Sequence, residues 1–153
     1  MSPRIPHSAA YVSLIQPLID YGRSIEARIE PKLAELVKIR ASQINGCALC
    51  LHMHAAEARR RGESEERILL LDAWRETPLY TARERAALGW TEALTELSQT
   101  RAPDEAYQAL KASFSEEDRV NLSLLIGVIN SFNQLNVGFR LPPIGLEARQ
   151  AAE

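Results

Sequence analysis

Cys47, Cys50 and His54 are the residues whose types and spacing could do chemistry. They stand in the run Gly46-Cys47-Ala48-Leu49-Cys50-Leu51-His52-Met53-His54. A helix turns about 100° per residue, so Cys50 and His54, four apart, share a face. Cys47, three before Cys50, lies on that face too. His52 falls roughly opposite Cys50, outside the group. Asn45-Gly46 breaks the preceding helix, which puts the pair at a helix start. Unsatisfied N–H groups and the positive end of the helix dipole stabilise a thiolate there, and the thiolate is the reactive form of cysteine. Two thiols at this separation can close a disulfide across one turn. A peroxide attacked by one thiolate would leave a sulfenic acid, and the second thiol would displace water to form the disulfide. A nearby histidine can take or give a proton near neutral pH.

Two rival readings of the same residues stay open. Free cysteine packs as a small hydrophobe, so the pair could be plain core. Alternatively Cys47, Cys50, His52 and His54 could ligate zinc. Structural zinc usually joins two ligand pairs from separated segments, no second pair occurs in the chain, and His52 points away. The expectation is therefore no metal and no cofactor. The helix carrying these residues is apolar on much of its circumference, through Leu49, Leu51, Met53, Ala55, Ala56 and Ala58, which suits a core or a subunit interface.

The elements that position this run are read as helices throughout. The 153 residues favour one domain, 1–153, and with 46% hydrophobic residues it can bury a core without disulfide staples. Residues 1–13 read as a loose arm, with His7 in it, that ends in an extended or short helical piece, and 143–153 as a loosely ordered tail. Pro17 opens a first helix to about Arg28. Pro31, tolerated in a first turn, opens a second to about Ile44, with Leu33, Leu36, Val37, Arg40, Ala41 and Ile44 on one stripe. A third runs from near Cys47 to about Arg61, where Arg59-Arg60-Arg61 suits the negative helix end. Ser64, followed by Glu65 and Glu66, caps a fourth that carries Ile68 to Trp74 and stops before Pro78. Thr81-Ala82-Arg83-Glu84 is a capping box for a fifth helix to about Leu97. Pro103-Asp104-Glu105 opens a short sixth, and Ser115 to Asp118 a long seventh that reaches about Phe139 before Pro142-Pro143.

Charge and composition exclude other classes. A net charge of −2 with no concentrated basic surface argues against nucleic acid as a partner. The longest apolar stretch, Leu122 to Ile129, is too short to span a bilayer. The N-terminus carries Pro3 and Pro6 and lacks the apolar segment of a secretory signal. Two cysteines three apart are not a secreted disulfide scaffold, so a cytoplasmic protein is expected, with redox or metal chemistry at the pair.

The segment Glu35-Leu36-Val37-Lys38-Ile39-Arg40-Ala41-Ser42-Gln43-Ile44-Asn45-Gly46-Cys47, followed by Cys50 and His54, resembles the AhpD-like alkylhydroperoxidases of the carboxymuconolactone decarboxylase superfamily. Its motif core spans about 31–62. Tyr80 to Leu88 and Ile126 to Arg140 look like two further helices of that family. The resemblance implies an all-α, AhpD-like bundle of about six to seven helices that assembles as a homotrimer or homohexamer. It implies a thiol-dependent peroxidase in which Cys50 attacks the peroxide, Cys47 resolves, and His54 with Glu35 relays protons. It also implies a peroxide substrate and a thiol or lipoyl-type reductant. Glu35 enters only through the resemblance; on its own helix it lies off the apolar stripe and reads as a solvated carboxylate. One branch of the family carries histidine where this chain has Leu49. The alternatives are a carboxymuconolactone decarboxylase-type lyase, and a non-enzymatic helical assembly that senses oxidation or holds zinc.

Overall fold

Capping chemistry sets most of the helix boundaries. The computed structural model describes residues 2–5 and 9–143, and these contain α-helices, one 3-10 segment and connecting turns. The helices are α1 (Ala9–Glu26), α2 (Pro31–Ile44), α3 (Ala48–Arg60), α4 (Glu65–Leu69), α5 (Ala82–Thr95), α6 (Leu97–Thr100), α7 (Asp104–Ser113) and α8 (Glu116–Gly138). A 3-10 segment, Leu70–Glu76, follows α4. Pro31 starts α2 as expected. Ser64 accepts from the Arg67 amide at 3.2 Å. Thr81 and Glu84 close their box in both directions, at 3.2 and 2.8 Å. Ser115 accepts from the Asp118 amide at 3.1 Å.

Three boundaries differ from the sequence reading. Helix α1 begins at Ala9 and runs through Pro17 instead of starting there. Proline forgoes one backbone hydrogen bond, but Tyr11 before it and Ile25 after it are both buried, and α1 packs against α8. The expected arm 1–13 therefore gives its last residues to α1, while His7 and the tail 144–153 lie outside the described residues. The fourth helix does not run on to Trp74 as an α-helix. It tightens at Leu70, and Ala73 leaves helical values (φ −106°, ψ 29°). A 3-10 turn stacks residues three apart, which sends Leu71 and Trp74 into the same core. Helix α6 is a single additional turn whose start, at Glu96, carries no side-chain cap to announce it.

Helix α2 is the axis of the molecule. It packs against α3, α5, α8 and the 3-10 segment. Leu33, Ala34 and Val37 join one apolar cluster with α5, α7 and α8, including Trp90, Leu110 and Ile126. Leu36 and Ile39 join a second with Leu71, Trp74 and Leu88. Ala41 joins a third with Tyr11, Leu49, Ile129 and both cysteines. The expected one-sided stripe on α2 is thus incomplete, because Glu35, Lys38 and Ser42 are buried as well. From Leu33 to Ser42 every residue but the half-buried Arg40 is buried, so this stretch has almost no solvent face to give them.

Candidate functional site

The turn from α2 to α3 presents the cysteines. Gly46 adopts φ +65°, a conformation that glycine takes without steric cost. The Cys47 amide donates to Ser42 O at 3.0 Å, and the Gly46 amide to Gln43 O at 3.2 Å. This pair of bonds is a Schellman ending, which closes α2 and turns the chain within three residues into α3. Cys47 becomes the N-cap of α3, and its Sγ accepts from the Cys50 amide at 3.3 Å. The two Cα atoms are 5.4 Å apart and the sulfurs are joined as a disulfide. Both residues are buried, at 1% and 3% exposure. His52 is exposed on α3, away from the pair.

The same hairpin brings Glu35 to His54. Glu35 lies ten residues before Asn45 and His54 seven after Cys47. At 1.5 Å of rise per residue the two helices run back about 15 and 10 Å from the turn, so the side chains come level. His54 Nδ1 lies 3.1 Å from Glu35 Oε2. The solvated reading of Glu35 is overturned, since it has no exposed surface. What makes burial tolerable is Lys38, whose Nζ donates to Glu35 Oε1 at 2.9 Å and to Glu26 Oε2 at 2.8 Å. Arg61 donates to Glu26 at 2.8 Å and lies 3.5 Å from Glu35. Burial pushes the Glu26 carboxyl up, but Lys38 and Arg61 outweigh it and hold the group below its ordinary value. Glu57, which accepts from Arg60 and Arg61, is lowered to about 2. Arg61, read from sequence as a helix-end cation, therefore belongs to this network.

Two cavities meet at these residues. One, of about 400 Å³, is walled mainly by apolar side chains, among them Ile15, Leu49, Met53, Val128, Ile129 and Phe132, and Cys50 and His54 open onto it. Gly22 lets α1 approach α8 along this cavity; a Cβ there would stand 3.0 Å from Val128 Cγ1. Burial raises the Tyr11 hydroxyl, on the same wall, above its ordinary value, so it stays a neutral phenol. The second cavity, of about 760 Å³, is lined by charged groups that include Arg23, Glu26, Glu57 and Arg61. His54 and Lys38 face both.

Sequence reasoning grouped Cys47, Cys50 and His54 on one helix face, and the fold keeps Cys50 and His54 on one cavity wall. It missed Lys38, Glu26 and Asn136. The Glu35–Lys38 pair, opposite charges three apart on a helix, carried a readable signal. Asn136, whose Nδ2 donates to Cys50 Sγ at 3.2 Å from 86 residues away, carried none.

The site is a Cys47–Cys50 disulfide at a helix start, held in an all-helical, AhpD-like frame. Residues 11–93 match the Carboxymuconolactone decarboxylase family, and the chain belongs to that family. It is 43% identical over 112 residues to the uncharacterized protein YdfG of Bacillus subtilis, covering 73% of this chain and 76% of that one. It is 29% identical over 143 residues to the uncharacterized protein YnjA of Escherichia coli, covering 94% of this chain and 76% of the other. The crystal structure of ATU0492 from Agrobacterium tumefaciens, a protein of unknown function and candidate antioxidant defence protein AhpD, matches with a TM-score of 0.86 at 42% identity, covering 93% of this chain and 98% of that one. Among the described residues no helix is long and apolar enough to cross a membrane.

Proposed function

We propose that the protein is a thiol-dependent alkylhydroperoxidase whose catalytic residues are Cys50, Cys47, His54 and Glu35. The observation that carries this reading is an asymmetry. Cys50 opens onto the apolar cavity, while Cys47 sits behind it as the cap of α3, within disulfide reach. The sulfur on the cavity wall attacks and the one behind it resolves.

In the first step the Cys50 thiolate attacks the outer oxygen of a hydroperoxide ROOH. The S–O bond forms as the O–O bond breaks, sulfur loses two electrons, and the alkoxide leaves with a proton from His54 as ROH. In the second step Cys47 attacks the Cys50 sulfenic acid. The S–S bond forms and hydroxide leaves, protonated to water. Glu35 accepts from His54 Nδ1–H, which fixes the tautomer and leaves Nε2 to exchange the proton. An external dithiol, of simple thiol or lipoyl type, returns the disulfide to the dithiol by exchange. Lactone decarboxylation, which names the family, makes no use of a thiol pair.

The same reading makes the working assembly a homotrimer or homohexamer. Leu14 on α1 and Val120 and Val137 on α8 are exposed apolar residues available for such contacts.

The test mixes reduced protein with a slight excess of cumene hydroperoxide, counts free thiols and weighs the intact chain. Loss of both thiols with a two-proton mass decrease is expected, and Cys50→Ser should abolish peroxide consumption. Two unreacted thiols in the native sequence, or consumption that survives Cys50→Ser, would sink the assignment.

A further inference from the structure

Helix α8 carries Asn130, Asn133 and Asn136 at three-residue spacing, which places the three amides along one side of the helix. Two of them hold the turn that presents the cysteines. Asn45 Nδ2 donates to Asn130 Oδ1 at 2.7 Å and to Asn133 Oδ1 at 3.0 Å. Asn133 Nδ2 donates to Ser42 Oγ at 3.1 Å, and Ser42 accepts at the point where α2 ends. The third reaches the sulfur itself. Asn136 Nδ2 donates to Cys50 Sγ at 3.2 Å, and Asn136 lines the same apolar cavity.

We propose that Asn136 is a catalytic residue of the thiol reaction, its side-chain amide donating a hydrogen bond to Cys50 Sγ that stabilises the thiolate before attack. This rests on the peroxidase reading above. An anion in a mainly apolar cavity has few partners, and an unpaired buried charge is costly. The titratable or charged groups facing the cavity are Tyr11, Arg23 and Glu26 from α1, Lys38 from α2, and His54 from α3. His54 and Lys38 are both tied to Glu35, at 3.1 and 2.9 Å. Asn136 is bound to that sulfur as it stands in the disulfide, so its amide faces the thiolate once the disulfide is reduced, and it keeps its donor at every pH. Histidine thus handles the proton, while the amide holds the charge left on sulfur. After the first step the same donor faces the sulfenic acid on Cys50, where it can steady the sulfur for the approach of Cys47.

The experiment uses the reduced full chain with its native residue, with Asn136→Ala and with Asn136→Asp. Iodoacetamide labelling of Cys50, located by peptide mass, is followed across pH. Thiol loss on adding cumene hydroperoxide is timed in parallel. Losing a hydrogen bond to a charged group should raise the labelling midpoint by about one pH unit in Asn136→Ala and slow peroxide-driven thiol loss about tenfold. Asn136→Asp keeps the shape but sets an anion against the thiolate, so its midpoint should rise further still. A loss of packing alone would not order the variants this way. Equal midpoints in all three proteins would overturn the proposal, as would an aspartate variant that labels like the native chain. If the native chain labels at Cys50 but keeps its thiols in peroxide, the peroxidase reading fails, and the order of the midpoints still decides the role of Asn136.

Discussion

At the scale of single residues the site is held by paired charges. His54 shares a cavity wall with Cys50 and is bound to Glu35. Replacing it with alanine should slow Cys50 alkylation at neutral pH, and an unchanged alkylation profile would remove His54 from the mechanism. Lys38 is nearly as buried as Glu35, with its side chain 8% exposed. Lys38→Met leaves a buried carboxylate short of its nearest cation, and breaking such a pair costs on the order of 3–5 kcal/mol. A urea titration should show that loss, and adding Glu35→Gln should recover part of it. A double variant as unstable as the two single losses summed would mean that the pair is not coupled. The grouping of Cys50 with His54 was legible because it is local to one helix. The burial of Glu35 was not, because a stripe on α2 describes one face, and between Leu33 and Ser42 the fold covers nearly the whole circumference.

At the scale of elements, caps and breakers made most of the frame legible. Pro31, Ser64, Thr81 with Glu84, and Ser115 each mark a helix start that the fold keeps, since their chemistry is satisfied within a few residues. Pro17 misled for the complementary reason. Its local penalty is offset by packing against α8, a partner about a hundred positions on that no local pattern reveals. The α2–α3 turn is the element on which the site depends. At Gly46 an added Cβ would meet no atom within 4 Å, so Gly46→Ala isolates backbone strain. Forcing a residue with a Cβ into the left-handed region costs about 1–2 kcal/mol. Chemical denaturation should register that loss. A Gly46→Ala chain as stable as the native one would mean that the turn relaxes to another conformation.

At the scale of the whole molecule, ion pairs make stability depend on acid. Glu57 is lowered from its ordinary 4.5 to about 2 by hydrogen bonds from Arg60 and Arg61. Burial pushes Glu92 up, but Trp74, Arg75 and Arg40 outweigh it and hold it low, and Glu26 is held low in the same way. A carboxyl lowered by folding binds protons less readily in the native state than in the unfolded one. For Glu57 that contribution is complete above 4.5 and disappears as pH falls toward 2, and Glu26 and Glu92 lose theirs on the same acid side. The melting temperature should therefore drop steeply across that interval, and a flat profile there would show the pairs to be screened by water. The three apolar clusters have a related consequence. Each borrows a wall from α2, so none can open while leaving the other two intact. Amide protons of α2 should then exchange with solvent only when the entire chain unfolds, and with one common rate-limiting free energy. Those of the single-turn α6, which contributes no buried residue, should exchange first.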